Sequence, residues 1–238
     1  MTIKVSVVGA SGRMGKLALE LIDAAQDMSL HSALDSKSDL TETEGADVIF
    51  DVTRLDVSAQ VIDHALNSDI AVVVGTSGWS ASKLEQLSPK VAGAAGTVVV
   101  IPNFSVGSML ATRFAAEAAK HFASIEIVEA HHANKVDSPS GTAIRTAELI
   151  AKSRDNQPLI VGADQEARGQ IVSGVPIHSL RLSGVSAKQD VLLGGDSELL
   201  TISHETSSVY AYSAGILASI RFAAANKGLF VGLETVLA

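Results

Sequence analysis

The sequence predicts an α/β protein: a doubly wound parallel sheet, then a second α+β domain with an antiparallel or mixed sheet. Three observations carry that expectation. The first half alternates short β-branched runs with amphipathic stretches, as in "IKVSVV" before "KLALELIDAA" and "ADVIFDVT" before "VSAQVIDHALN". Glycine and small polar residues gather where those runs end. From Val175 onward, three strand-like runs follow one another with no helix between them.

Composition sets the outer bounds. The chain has 238 residues, 47% of them hydrophobic, enough to bury one large core or two small ones. A net charge of −8 argues against nucleic acid or an anionic membrane as partner. Cysteine is absent, which excludes disulfides, thiolate metal sites and any cysteine thioester mechanism, including that of cysteine-dependent semialdehyde dehydrogenases. "MTIKVSVVGASG" enters a strand-like run at once and lacks the features of a signal peptide. No apolar run approaches the ~20 residues that span a bilayer. A cytoplasmic protein is expected.

Ile3 to Val8 reads as the first strand. In "GASGRMG", Gly9, Gly12 and Gly15 are spaced G-x-x-G-x-x-G, and Leu17, Leu21 and Ala24 then recur at helical spacing. "LHSAL", from Leu30, reads as a second strand ending at Asp35. Strand, glycine turn, helix, strand and acid is the layout of a dinucleotide-binding unit. The glycines let backbone approach a pyrophosphate, and the helix N-terminus offers free N–H groups and a positive dipole end. Asp35 lies 20 residues past Gly15, placed to accept hydrogen bonds from a ribose diol. A glycine triad alone also occurs in ordinary turns; strand, helix and Asp35 in register tip the reading. Ser36 and Lys37 follow Asp35, where a strictly NADP-dependent enzyme sets an arginine. NADH is therefore expected, and NADPH as well if Ser36, Lys37 or Arg13 meets the phosphate.

Ala46 to Thr53 and Ile70 to Val74 read as buried parallel strands, ending in Asp51-Val52-Thr53 and Gly75-Thr76-Ser77-Gly78. Thr97 to Ile101 is a further strand, followed by Pro102-Asn103-Phe104. Open parallel sheets bind ligands beyond the carboxyl ends of their strands. Thr53, Gly75 to Ser77 and Pro102 to Phe104 should therefore share an edge with Gly9.

After Asn103 the texture changes. "SVGSMLATRFAAEAAKHF" is a helix, and "SIEIVEAHH" a one-sided strand with Ile125, Ile127 and Ala130 inward and Glu126 and Glu129 outward. "SGTAIRTAELIAKS" is a helix with a polar start, "VPIHSLRL", "KQDVLLGG" and "ELLTISHET" are strands, and "AGILASIRFAAANK" is a last helix. The expected organisation is a dinucleotide-binding domain of residues 1–103 and 214–238, and a substrate-binding domain of residues 104–213, with substrate and cofactor meeting in a cleft.

"EAHHANKVDSPSGTA", Glu129 to Ala143, concentrates the chemistry. His131 and His132 point to opposite faces of a regular strand, so both serve one ligand only if the strand ends there. The turn-rich "ANKVDSPSG" suggests that it does. Ser140, Gly141 and Thr142 at a helix start offer N–H groups and hydroxyls to a carboxylate; Lys135 adds a positive charge, and a histidine can deliver a proton near neutral pH. Taken singly, a histidine is usually structural, a loop lysine solvated and a Ser-Gly-Thr a helix cap. A metal site that recruits His178 or His204 is disfavoured, because adjacent histidines bind one ion awkwardly and no acid stands at ligand spacing.

"GASGRMG", "DVT", "GTSG", "IPNFSVG" and above all "EAHHANKVDSPSGTA" resemble, in order and spacing, the motifs of the 4-hydroxy-tetrahydrodipicolinate (dihydrodipicolinate) reductase family over essentially the whole chain. The resemblance implies a Rossmann-type doubly wound parallel sheet, plus a second α+β domain with a mixed open sheet through which a homotetramer assembles. It implies NADH- or NADPH-dependent reduction of a small dicarboxylate in lysine and diaminopimelate synthesis, with hydride to C4 and a proton to C3. By resemblance, His131 is the proton donor and Lys135 a second catalytic group. His132, Ser140, Gly141, Thr142 and Ser77 contact substrate. Gly9, Ala10, Ser11, Gly12, Arg13, Met14, Asp35, Gly75, Thr76, Ser77, Ile101, Pro102, Asn103 and Phe104 hold the cofactor, and no metal is implied. The family commonly has threonine where this chain has Ser77; some members have arginine at Ser36, and arginine is also found at the position of Val209. One alternative is another Rossmann reductase of a small carboxylate; a second, a non-catalytic nicotinamide sensor, would need the glycine motif but not His131, His132, Lys135 and Ser-Gly-Thr together.

Overall fold

The computed structural model describes residues 2–155, 157–163 and 165–238. The chain forms two compact units, Met1–Val106 with Val209–Ala238, and Gly107–Ser208. Among the described residues no helix is long and apolar enough to cross a membrane.

The first unit is built on a six-stranded sheet. Its strands are β1 (Ile3–Val8), β2 (Met28–Leu34), β3 (Val48–Asp51), β4 (Ala71–Val74), β5 (Thr97–Val100) and β11 (Gly228–Val231), in the order β11-β5-β4-β3-β1-β2 and parallel throughout. Every residue of β3, β4 and β5 is buried, the signature of strands covered on both faces. That is why "VIFD", "AVVV" and "TVVV" lack the alternation of a half-exposed strand. The helices are α1 (Arg13–Ala24), α2 (Leu55–Asn67), α3 (Ala81–Ala94), α6 (Ser213–Ala225) and the single-turn α7 (Leu233–Val236). The chain goes from β1 out to β2 and then crosses back to β3, so strand order reverses at β1. Val8, Asp51, Val74 and Val100 are successive register partners, which starts the loops after β1, β3, β4 and β5 at one level. β11 is a short, half-buried edge strand that the sequence pattern does not announce.

The second unit carries α4 (Val106–Ala118, its first residue in the first unit), β6 (Ser124–His131), α5 (Gly141–Ser153), β7 (Gln170–Val172), β8 (Val175–Arg181), β9 (Ala187–Gly194) and β10 (Leu199–Thr206). Its sheet runs β10-β9-β6-β8-β7, with β6 and β8 parallel and the other pairs antiparallel. β7 is a further strand that periodicity missed. It pairs with β8 through a two-residue turn, Ser173-Gly174, with both residues at positive φ. Ile125, Ile127, Ala147, Ile150, Ile177, Val191 and Leu193 form the core beneath α5.

One expectation is corrected. Glu129 does not share an outer face with Glu126. Alternation along β6 sets Ile125, Ile127, Glu129 and His131 on one face, and Glu129 is fully buried.

Gly15 shows how tightly the first turn is built. A Cβ there would lie 2.2 Å from the Gly9 carbonyl oxygen and 2.7 Å from Ala10 Cα, both backbone atoms that cannot swing aside. Gly15→Ala should therefore lower stability by about 1–3 kcal/mol, read from urea denaturation, and should weaken NADH binding in the same protein.

Candidate active site

In the first unit the sequence-predicted cofactor residues lie along the carboxyl edge of the parallel sheet. Gly9 follows β1 at φ +91°, where a Cβ would meet the Val52 carbonyl oxygen at 2.8 Å. The N–H groups of Gly9 and Ala10 both donate to the Leu34 carbonyl, which folds Ala10-Ser11-Gly12 over the end of the sheet. Gly12 is the N-cap of α1 and supplies no side chain, and Arg13 and Met14 open the helix. Their N–H groups precede the first intrahelical bond, Lys16 to Gly12, so the turn suits a pyrophosphate. Asp35 is exposed just past β2 and accepts the Lys37 N–H at 2.8 Å.

Gly75 needs its missing side chain, because a Cβ would lie 2.7 Å from the Phe104 ring. Phe104 is itself buried, its ring 5.6 Å from that of Phe50. Ile101 is buried, Pro102 exposed, and Asn103 accepts the Ser105 N–H at 2.9 Å, shaping the turn after β5. Ser77 is exposed, whereas Thr76 is buried, with its hydroxyl directed to Asp51.

In the second unit the chemistry is organised by a residue that motif reading left without a role. Glu129, at 0% exposure, receives a forked pair of bonds from Arg181, Nη2 to Oε1 at 2.9 Å and Nη1 to Oε2 at 3.0 Å. The Ser140 N–H adds a bond at 3.2 Å, and His131 Nδ1 lies 2.6 Å from Oε2. Burial pushes the Glu129 carboxyl up, but the bonds from Arg181, Ser179 and His131 outweigh it and hold it below the ordinary glutamate value. An ionised Glu129 can only accept, so His131 carries its proton on Nδ1 in the neutral form and uses Nε2 for other chemistry. Burial lowers the His131 pKa; Glu129 opposes this, while Lys135 and Arg181 reinforce it.

Lys135 Nζ donates to Asp137 Oδ1 at 2.7 Å, and Arg181 Nη2 donates to the Asp137 carbonyl at 2.7 Å. The loop after β6 is thereby tied to β8. His132 begins that loop, and its carbonyl accepts the Lys135 N–H at 3.0 Å. Ser140 is the N-cap of α5, its hydroxyl accepting the Ala143 N–H, so Ser140 shapes the helix start. Gly141 and Thr142 form the first turn, and open space lies where a Gly141 Cβ would be, room for an anion against the backbone. Among the described residues no group of three or more His, Asp or Glu could hold a metal ion.

Sequence reasoning missed Glu129 and Arg181 as parts of this site. The signal for Arg181 was faint, a lone cation at the end of a strand. It becomes meaningful only through the β6–β8 register, which pairs His131 with Arg181.

The parallel sheet with its glycine turn and acid, joined to a separate unit bearing an imidazole, an ammonium and an open helix N-terminus, defines a class: nicotinamide-dinucleotide-dependent oxidoreductases. The family follows from comparison. The dihydrodipicolinate reductase N-terminus matches residues 3–104 and the dihydrodipicolinate reductase C-terminus matches residues 107–237, so the chain belongs to the dihydrodipicolinate reductase family and is an NAD(P)H-dependent oxidoreductase. The chain is 49% identical to the 4-hydroxy-tetrahydrodipicolinate reductase of Clavibacter sepedonicus, covering 100% of this chain and 87% of the relative. It is 42% identical to that of Streptomyces griseus, covering 99% and 98%. A solved structure of dipicolinate-bound dihydrodipicolinate reductase from Paenisporosarcina sp. TG-14 superposes with a TM-score of 0.82 at 32% identity, covering 99% of each chain.

Arg181→Met keeps much of the side chain's bulk but strands the Glu129 charge. It should lower stability at neutral pH by about 3 kcal/mol. The wild-type carboxyl, held low, stabilises the fold above its unfolded pKa, and that contribution is lost as pH falls through the folded value. In the variant, burial without its guanidinium raises the pKa, so the two proteins should converge as pH falls toward 4. Denaturation across pH reads this directly; a gap that is constant with pH contradicts it.

Proposed function

We propose that the chain reduces (2S,4S)-4-hydroxy-2,3,4,5-tetrahydrodipicolinate, or the dihydrodipicolinate formed when it loses water, to tetrahydrodipicolinate in lysine and diaminopimelate synthesis. The observation that carries this reading is the His131–Glu129–Arg181 arrangement beside Lys135 and the open N-terminus of α5. A proton donor, a cation and free N–H groups are what a planar dicarboxylate undergoing reduction and protonation requires.

NADH or NADPH, when bound, supplies the hydride that goes to C4 of the substrate ring. Gly9 to Met14 hold the pyrophosphate and Asp35 the ribose, with Gly75 to Ser77 and Ile101 to Phe104 completing the nucleotide edge. Gly141 and Thr142 receive one substrate carboxylate through backbone N–H groups, with Ser140 setting the helix start. Lys135 leaves Asp137 to face the dicarboxylate and stabilises the negative charge that builds on the ring. His132 and Ser77 contact substrate. His131 gives the proton from Nε2 to C3, and Glu129 then keeps the Nδ1 proton in place. A lowered pKa makes the imidazolium a stronger acid at the moment of transfer. Assembly as a homotetramer through the second sheet is supported by exposed Leu180, Leu199 and Leu200 on β8 and β10. We place the enzyme in the cytoplasm, where NADH and NADPH are available.

Turnover of freshly prepared 4-hydroxy-tetrahydrodipicolinate, followed by cofactor oxidation, tests the assignment; a folded protein without turnover rejects it. His131→Ala should lower kcat by ~10²–10⁴-fold. Lys135→Ala should lower kcat strongly with an unchanged Kd for NADH. Because the acid form of His131 is the donor, kcat/KM should fall as pH rises through its pKa. Glu129→Gln removes the charge that holds the His131 proton, so that limb should move to lower pH. Ser36→Arg should shift preference toward NADPH, read as the ratio of kcat/KM for the two cofactors; an unchanged ratio assigns phosphate recognition to Lys37 or Arg13.

A further inference from the structure

Asp51, the last residue of β3, is fully buried and surrounded by hydrogen-bond donors. The Thr53 N–H and hydroxyl reach Oδ1 at 3.0 and 2.6 Å. The Ser58 hydroxyl makes a short bond to Oδ2, and the Thr76 hydroxyl reaches the same oxygen at 3.2 Å. The Asp51 carbonyl also accepts the Gly75 N–H at 2.8 Å. Asp51 thus holds the loop after β4 through both backbone and side chain. Burial pushes its pKa up, so the carboxyl has been placed here against its desolvation cost. A tie between loops alone could be made with neutral groups.

What the carboxylate adds is direction. An ionised carboxyl accepts and never donates. Each hydroxyl around it has one hydrogen, and Thr76 commits its hydrogen to Asp51. Toward any other group, Thr76 Oγ1 can then act only as an acceptor.

The topology says which group that is. A dinucleotide lies across the carboxyl edge of a parallel sheet, centred where strand order reverses. Here the reversal is at β1, the glycine turn follows β1, and Asp35 lies beyond it at the end of β2. The nicotinamide half therefore belongs over the ends of β3, β4 and β5, where Asp51 and Thr76 stand. Nicotinamide bears one substituent with a pure donor, the amino group of its carboxamide.

We propose that Asp51 is a positioning residue that makes the Thr76 hydroxyl an obligate acceptor for the carboxamide amino group of the nicotinamide. This rests on the assignment of this sheet edge to the cofactor. It accounts for a buried charge that touches neither substrate nor cofactor. It also assigns the Thr76 side chain, and not only its backbone, to recognition. An asparagine at position 51 would present an amide N–H₂ to hydroxyls that now donate, so one or more of them would have to turn round.

The test is calorimetric titration of the full chain with three ligands. These are NADH, the reduced 3-acetylpyridine analogue, in which a methyl replaces the amino group, and ADP-ribose, which has no nicotinamide. Wild type should bind NADH about tenfold more tightly than the analogue, the value of one well-made hydrogen bond. Thr76→Val and Asp51→Asn should bring that ratio close to one, with ADP-ribose affinity kept within about twofold, and Thr76→Ser should retain the ratio. An unchanged ratio in Thr76→Val overturns the proposal. So does equal loss of affinity for all three ligands, which marks Asp51 and Thr76 as scaffold alone. Should Asp51→Asn fail to fold, the Thr76→Val and Thr76→Ser pair decides, since the proposal stands or falls on that hydroxyl. Failure of the cofactor assignment looks different: wild type itself would bind none of the three ligands.

Discussion

The pairing of Glu129 with Arg181 is the constraint on which the chemistry of the second unit depends. A carboxylate without solvent contact is costly unless its lone pairs are met by well-placed donors. Here β8 supplies a forked guanidinium, α5 supplies a backbone N–H and β6 supplies an imidazole. Four separate pieces of chain are thereby brought to one charge: the end of β6, the end of β8, the start of α5 and, through the Asp137 carbonyl, the loop between β6 and α5. Remove the carboxylate and the imidazole loses its reference for orientation and tautomer, while the helix start loses its anchor; the guanidinium is what lets that carboxylate stay charged without solvent.

Both units use the same device, a buried acid at the carboxyl end of a strand, with different consequences. Asp51 meets only neutral donors, so burial dominates and its pKa rises. Glu129 meets a full positive charge, so its pKa falls although it too is without solvent exposure. The first arrangement orients hydroxyls and the second orients an imidazole. In each case the oriented group is neutral or transiently charged, and the permanent charge that sets its direction is buried. This also reconciles an acidic chain with anionic ligands. Positive groups are few but local, and Glu129 and Asp137 are already engaged with Arg181 and Lys135.

Much of the fold is legible in the sequence. The runs at Ile3, Ala46, Ile70 and Thr97 read correctly as strands because parallel strands covered on both faces are continuous apolar stretches. The helices between them announce themselves by apolar spacing. β7 is not legible because it is only three residues long, and β11, half-buried "GLFV", lacks the continuous buried apolar run that marks β3, β4 and β5. Taking Ala130 as the inward residue puts Glu129 on the outer face, the opposite of what the structure shows. The alternation that begins at Ile125 runs through 127 and 129 instead, and an acid at an inward position looks forbidden until its partner is known.

Local residue chemistry determined that strands end in glycine-rich and polar turns, and that two histidines, a lysine and a helix start stand together. Those are properties of neighbours in the chain, and the chain itself displays them. Tertiary structure alone decided that Arg181, 50 residues past His131, stands across the sheet from it, and that Thr76 donates to Asp51. Strand register and burial make those pairs, and both arise only once distant segments pack and exclude the water that would otherwise screen them.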